Sequence, residues 1–286
     1  MKFKFLKINI PENIKRVKVD TEAAYLASLK KEIDFEFFDN FIIVDYHWAD
    51  SIINFGIKNT QSVVNSLYEN FKNDFHKMIF INQHISCDQI NWHSGIVFSC
   101  HANNNNNFIS IPHIPKVYFQ GNKKQEFEYF LSFVGSYETH NVRKTLSKSE
   151  LPENSLFIDT GGWHFYNRDK KREERYKEVL SKSLFSLCPR GTGHGTIRLF
   201  ESLRSGCIPV ILSDGYKLPV GLKENENCIV IKEKDALKIK EILSNISNEE
   251  INSLIENVDK YSKKYLKEEI YNSVIQSLEE NYVIQS

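Results

Sequence analysis

Residues 183–219 read SLFSLCPRGTGHGTIRLFESLRSGCIPVILSDGYKLP, and this stretch decides the fold. Leu184 to Cys188 is a short apolar run, Pro189 to Gly195 is a loop holding three glycines, and Thr196 stands where it can cap a helix that stops at Gly206. Cys207 to Leu212 is a second buried strand, so the whole is a strand, glycine loop, helix and strand in βαβ order. Six of the twelve glycines of the chain (191, 193, 195, 206, 215 and 221) fall in or just after this unit, which concentrates close backbone approach in one place.

The helix predicted from Ile197 has two faces. Ile197, Phe200 and Leu203 recur every third residue and are expected to pack on the sheet, while Arg198, Glu201 and Ser205 share the other side. An anion at this helix start meets unpaired backbone N–H groups, the positive end of the helix dipole and the guanidinium of Arg198, with Arg190 and Gly191 supplied by the loop. Glu201 lies one turn deeper, where a carboxylate repels phosphate but accepts hydrogen bonds from sugar hydroxyls. The combination suits a nucleotide diphosphate with its ribose. An ordinary i, i+3 ion pair between Arg198 and Glu201 is the plainer alternative, and it leaves the glycines and Arg190 without a role.

With these residues set out, the segment resembles the exostosin-type glycosyltransferases, glycosyltransferase family 47. The resemblance rests on S-L-F-S-L-C-P-R-G, on T-I-R-L-F-E-S-L-R-S-G-C-I-P-V-I-L-S-D and on the following L-P. Upstream, YFLSFVGSYETHNVRKTL (129–146) and IPHIPKVY (111–118) are similar to the segments that open the family's nucleotide-binding domain, so the resemblance covers roughly residues 111 to 222. It implies an α/β protein of GT-B architecture, with two Rossmann-like domains facing a cleft. It also implies an inverting transfer of a sugar from a nucleotide diphosphate sugar, usually a UDP-sugar, to a hydroxyl of a glycan acceptor.

Composition agrees with such an enzyme. Lys plus Arg and Asp plus Glu both number 37, so the net charge is zero, and no basic run stands out to favour nucleic acid as a partner. No apolar stretch reaches membrane-spanning length, and MKFKFLKINIPENIK alternates too often with Lys and Asn for a signal segment. The expectation is a cytoplasmic protein, like bacterial or viral relatives of the family. Five cysteines (87, 100, 188, 207 and 228), without CxxC spacing, suit reduced thiols. His84, Cys87, His93, Cys100 and His101 follow no standard zinc pattern, and lining histidines are the preferred reading.

Along the chain, Val17 to Val19 is a candidate strand and Thr21 to Ile33 a helix, followed by strand Phe41 to Tyr46, helix Gln61 to Phe71, and strands Met78 to Asn82 and Gly95 to Ser99. Asn103 to Asn107 is an asparagine tract that reads as an exposed turn. The expected division is residues 1–115 as an acceptor-binding Rossmann-like domain, 116–265 as the nucleotide-sugar domain, and 266–286 as a helix packing back on the first domain. Strands of the second domain are expected near Leu131 to Val134, Leu156 to Asp159, Leu184 to Cys188, Ile208 to Leu212 and Cys228 to Ile231.

Further donor-side candidates are Gly135 and Ser136 at the end of an apolar strand, Arg143 as a charge behind them, Asp159 after the next strand, and Thr196 at the helix cap. The base that removes the acceptor proton must lie elsewhere. The block Asp45, Tyr46, His47, Trp48, Ala49, Asp50 ends a strand of the first domain, the edge where ligands bind in open α/β sheets. Asp45 and His47 are the candidate bases, Tyr46 and Trp48 the candidate acceptor platforms, and Asp50 and Asp20 weaker carboxylates. No Asp-x-Asp pair occurs, so arginines and a helix terminus are expected to neutralise the leaving group without a metal. Two other classes fit parts of the sequence. One is an NAD-dependent oxidoreductase using Gly191-Thr192-Gly193-His194-Gly195 with Asp214. The other is a non-catalytic nucleotide- or glycan-binding module.

Overall fold

The computed structural model describes residues 3–8, 21–32, 41–121, 127–162, 169–266 and 270–283. The expected strand at Val17 to Val19, and Asp20, lie outside the described residues. The chain divides into two compact units, Met1–Ile114 with Glu269–Ser286, and Pro115–Glu268.

The first unit carries a five-stranded parallel sheet in sequential order: β1 (Phe3–Lys7), β2 (Phe41–Asp45), β3 (Met78–Asn82), β4 (Ile96–Ser99) and β5 (Ile109–Ser110). Two of these, β1 and β5, escape a periodicity reading because one is interleaved with lysines and the other is two residues long. The runs FIIV, MIFI and IVF are apolar throughout because both faces of the sheet are covered. Phe41, Ile43, Ile79, Ile81, Ile96 and Phe98 point to one face and pack with Tyr25, Leu26 and Leu29 of α1 (Thr21–Glu32). The alternate residues Val44, Met78, Phe80 and Val97 point to the other, against Trp48, Ile52, Val64 and Leu67 of α2 (Trp48–Asn70). This is the period-two alternation of strand side chains, read out by two helices.

Helix α2 starts well before the expected Gln61, and it is two segments joined at Gly56, whose φ of 78° is left-handed. A buried hydroxyl chain spans the break: Tyr46 Oη donates to Ser51 Oγ (3.1 Å), Ser51 Oγ meets Thr60 Oγ1 (2.9 Å), and Thr60 Oγ1 donates to the carbonyl of Gly56 (3.0 Å). At the start of the helix, the buried Glu22 carboxylate accepts from Ala49 N (3.0 and 3.2 Å) and Gln83 N (2.9 Å). One acid therefore ties α1, the positive end of α2 and the turn after β3 together.

The second unit is also a parallel five-stranded sheet, in the order β10-β9-β8-β6-β7. Its elements are β6 (Tyr129–Gly135), α3 (Asn141–Leu146), β7 (Ser155–Asp159), α4 (Lys170–Lys182), β8 (Ser183–Pro189), α5 (Ile197–Arg204), β9 (Ile208–Leu212), β10 (Ile229–Val230), α6 (Ile239–Ser244) and α7 (Asn248–Tyr265). β6 and β7 run out one way and β8, β9 and β10 the other, so the strand order reverses between β6 and β8. Gly206, at φ 73°, ends α5 as expected of a glycine beyond a helix C-terminus, and α7 opens with a capping box of Ser247 and Glu250. A single core built on Phe133, Phe185, Leu187, Phe200, Leu203 and Val210 fills this unit. Finally α8 (Asn272–Leu278) belongs to the first unit, where Val274 and Leu278 join the α1 face of the sheet and Ser273 Oγ meets Tyr25 Oη at 3.1 Å.

The loop after β5 holds a buried titratable group. His113 is 9% exposed, and burial holds its pKa down at about 4 against the usual 6.5. Between these two values the unfolded chain binds a proton that the folded chain refuses, so the stability held above pH 6.5 should be lost as pH falls toward 4, by about 1.4 kcal/mol per pH unit at most. Urea unfolding of the parent and of His113→Gln between pH 7 and 4 checks this; the variant should show the shallower dependence.

Candidate functional site

In an open parallel sheet the crevice for a ligand lies at the carboxyl ends of the strands, where the order reverses. Here that point is between Gly135, ending β6, and Pro189, ending β8. The loops that follow, 136–140 and 190–196, carry four of the nine donor-side candidates, Ser136, Arg190, Gly191 and Thr196.

Arg198, in the first turn of α5, lies against the end of β6. Its guanidinium sits over the ring of Phe133 at 4.6 Å, and Nη2 donates to the carbonyl of Val134. A Cβ on residue 135 would collide with that same Nη2 and stand 3.2 Å from the Phe133 ring, so a side chain there must push the Arg198 guanidinium aside. Nε and Nη1 of Arg198 are buried and, among the described residues, have no hydrogen-bond partner. Unmade donors on a buried charge are costly, and an anion is the group that satisfies them.

Arg143 has a different task from the phosphate contact expected of it. Its guanidinium is buried and fully engaged with backbone: Nε donates to Arg190 O (2.8 Å), Nη1 to Ser136 O (3.1 Å) and Nη2 to Pro189 O (3.0 Å). It braces the two loops across the switch point. Burial, then the nearby charge of Arg198, lowers its pKa to about 9.

Arg190 reaches Glu233, with Nη1 3.8 Å from Oε1, and makes only long contacts to Gly191 O and Thr192 O, both 3.4 Å. Its backbone N–H donates to Leu212 O at 2.8 Å. Gly191 has room for a side chain, the nearest atom to a Cβ there being Arg143 Nη2 at 3.5 Å. Ser136 is buried, and its Oγ accepts from Glu138 N at 3.2 Å. Asp159 closes the turn after β7, where Oδ1 accepts from Gly161 N (3.0 Å) and Tyr137 N (3.3 Å). Thr196 occupies the cap position of α5 without a side-chain capping bond.

Glu201 is also placed differently from the ribose contact expected of it. The face of α5 that the periodicity leaves polar is covered: Glu201 Oε1 accepts from Val117 N (3.1 Å), Ser205 Oγ accepts from Phe119 N (2.9 Å), and Arg204 lies over the Tyr118 ring at 4.9 Å. The carboxylate holds the extended segment 117–119 along the helix, and burial raises its pKa.

In the first unit, Asp45 ends β2 and pairs with Lys30 at 2.5 Å. His47 caps α2, and its Nδ1 is 4.0 Å from Asp50 Oδ2, with side chains 16% and 5% exposed. Tyr46 and Trp48 are not open platforms. Both are buried, with rings at 4.5 Å, and Trp48 stands edge-on to Phe80 (5.5 Å) and Trp92 (5.0 Å). Each such aromatic pair adds about 0.5–1.5 kcal/mol beyond its buried area, so these rings serve the core.

Other groups at these strand ends include His101, one of the histidines read above as lining, and His113 and His140, which the sequence reading did not single out. His101 and His113 follow β4 and β5 with rings 5.0 Å apart. His140 caps α3 and stands 3.8 Å from Glu233 Oε2. Their signal is only their position after a strand, which needs strand ends known to within a residue. Among the described residues no three His, Cys, Asp or Glu side chains gather as a metal site. The five thiols are all buried and unpaired with one another, with that of Cys87 pushed up to about 12 by burial. No helix among the described residues is long and apolar enough to cross a membrane.

The chain is 36% identical over 114 residues to an Exostosin-1 homolog of Caenorhabditis elegans, covering 37% of this chain and 30% of that protein. It is 26% identical over 139 residues to a probable glucuronoxylan glucuronosyltransferase of Arabidopsis thaliana, covering 47% and 31%. The matched region thus spans about a third of the length of these relatives. Among solved structures, the GtfA/B complex aligns at 13% identity over 95% of this chain and 62% of that one, with a TM-score of 0.44. The exostosin GT47 domain matches residues 66–246, and the chain belongs to that family.

Proposed function

We propose that the protein is an inverting glycosyltransferase that takes a sugar from a nucleotide diphosphate donor, most simply a UDP-sugar, and passes it to a hydroxyl of a glycan acceptor. The observation that carries this reading is the Arg198 guanidinium, held by Phe133 and Val134 at the switch point with two buried nitrogens unpartnered. Family membership supports the reaction class. The diphosphate is assigned to the ends of β6 and β8, where Arg198 and Arg190 supply charge and the loop braced by Arg143 supplies backbone.

The reaction is a single displacement. The acceptor oxygen attacks the anomeric carbon, a base takes its proton, the bond from that carbon to the diphosphate oxygen breaks, and the electron pair leaves with the diphosphate. Charge grows on the leaving oxygen as the bond breaks, and Arg198 stabilises it more in the transition state than before. This reading needs no metal, since two arginines and the start of α5 provide the positive field. On the acceptor side, Asp45 and His47 at the carboxyl end of β2 remain the candidate bases. With Tyr46 and Trp48 committed to the core, no aromatic acceptor platform is assigned.

Arg198→Ala should fold and lose about 10² to 10³ in transfer rate, by analogy with a deleted oxyanion donor. A donor-hydrolysis screen across nucleotide sugars, followed by kinetics on the variant, checks this; a folded variant at parental rate removes the donor site from α5. Gly135→Ala should reproduce much of that loss by displacing the guanidinium, with little change in far-UV circular dichroism. On the acceptor side, replacing the true base should lower transfer by roughly 10² to 10⁴ with nucleotide affinity nearly untouched. Parallel assays of Asp45→Asn and His47→Ala with calorimetric UDP titration decide between them, and full activity in both would move the base to another strand end, such as His101.

A further inference from the structure

Beside the donor site stands a carboxylate that the reaction as described does not use. Glu233 follows β10, and two backbone bonds pin it: its Oε1 accepts from Asp214 N at 2.9 Å, and its own N–H donates to Asp214 Oδ1 at 3.0 Å. Glu233 is therefore fixed independently of its ionic neighbours. Arg190 Nη1 faces Oε1 at 3.8 Å, and His140 Nδ1 faces Oε2 at 3.8 Å. Neither contact is short enough to be a hydrogen bond; the Arg190 contact acts through charge, whereas His140, whose Nδ1 accepts from Val142 N and whose pKa burial lowers, adds no charge at neutral pH. The side chains of Arg190 and Glu233 are 16% and 20% exposed, which leaves both open to an entering ligand.

We propose that Glu233 is a positioning residue for Arg190 that also acts as a fixed counter-charge, weakening the hold of the site on the nucleoside diphosphate product more than on the nucleotide-sugar donor. The proposal rests on the donor reading given above. The diphosphate of a nucleotide sugar carries two negative charges. Transfer leaves a terminal phosphate whose second ionisation lies near pH 6, so at neutral pH the product carries close to three. Coulomb energy scales with that charge. A fixed carboxylate beside Arg190 therefore penalises the product by about half as much again as the donor, and it restores a partner to Arg190 when the product leaves. The single displacement creates one product of higher charge in the site that held the donor, and a site built only of arginines would retain it.

Glu233→Gln isolates the charge, because the amide oxygen still accepts from Asp214 N. In calorimetry at low salt, this variant should bind UDP about three- to tenfold more tightly than the parent, the scale expected for one unit charge several ångströms from an anion in partly solvated surroundings. UDP-N-acetylglucosamine should gain less. Inhibition by UDP should strengthen in step, and the difference should shrink as salt is raised. A merely structural glutamate would weaken both ligands on replacement, so tightening is the diagnostic direction. Unchanged or weaker UDP binding, or equal gains for both nucleotides, would overturn the proposal. If the parent itself bound no UDP, the donor reading would fall and this one with it; if the parent binds and Glu233→Gln matches it, only the role of Glu233 falls. Glu233→Ala, which also loses the Asp214 contact, should show a lower melting temperature than Glu233→Gln.

Discussion

Three carbonyls converge on one buried guanidinium. Arg143 joins Ser136, after β6, to Pro189 and Arg190, at and after β8. These two strands are neighbours in space but come from opposite sides of the reversal in strand order, with α3, β7 and α4 intervening in sequence. Nothing in the ladder between β6 and β8 fixes the loops beyond their ends, and Arg143 supplies that constraint. A charge buried for this purpose is tolerable because backbone oxygens surround it. The loops at the strand ends of the second unit depend on it: the path of the glycine loop, the placement of Arg190, and the start of α5 with Arg198.

In the proposed donor reading, Arg143 and Arg198 divide the labour that a phosphate site requires. One spends its hydrogen bonds on the protein and keeps the crevice in shape. The other is held by an aromatic face and a single carbonyl, with nitrogens to spare. Such preorganisation is the useful form of electrostatic catalysis, since the dipoles and charges need not rearrange while the leaving group develops its charge. In the role proposed for it, Glu233, bound to backbone and facing Arg190 from the side, supplies the opposing charge. A site with attraction alone would bind its product too well.

The first unit follows another plan. Its sheet runs in simple sequential order, and its polar groups concentrate at strand ends, where Glu22 receives the N–H groups of Ala49 and Gln83. The aromatic content of the DYHWAD block goes inward. Trp48, Phe80 and Trp92 interlock on the α2 face, and Tyr46 feeds the hydroxyl chain that crosses the break at Gly56. A strand-end sequence rich in carboxylates and rings is thus partly a helix start and partly core.

What the sequence determined by itself is considerable: an α/β chain with parallel sheets, the βαβ unit at residues 183–219, and its glycine-rich turn. These follow from local patterns, since apolar runs of strand length, a three-residue helical repeat and glycine spacing are all written within a few turns of chain. The tertiary structure alone decided how the polar residues are spent. Arg143 and Arg198 look alike in sequence, yet one donates to three carbonyls and the other keeps free nitrogens. Glu201 lies on the polar face of its helix and still turns to Val117, because a segment more than eighty residues earlier in the chain covers that face. Hydrogen bonds and burial of this kind depend on partners distant in sequence, and no local periodicity encodes which partner arrives.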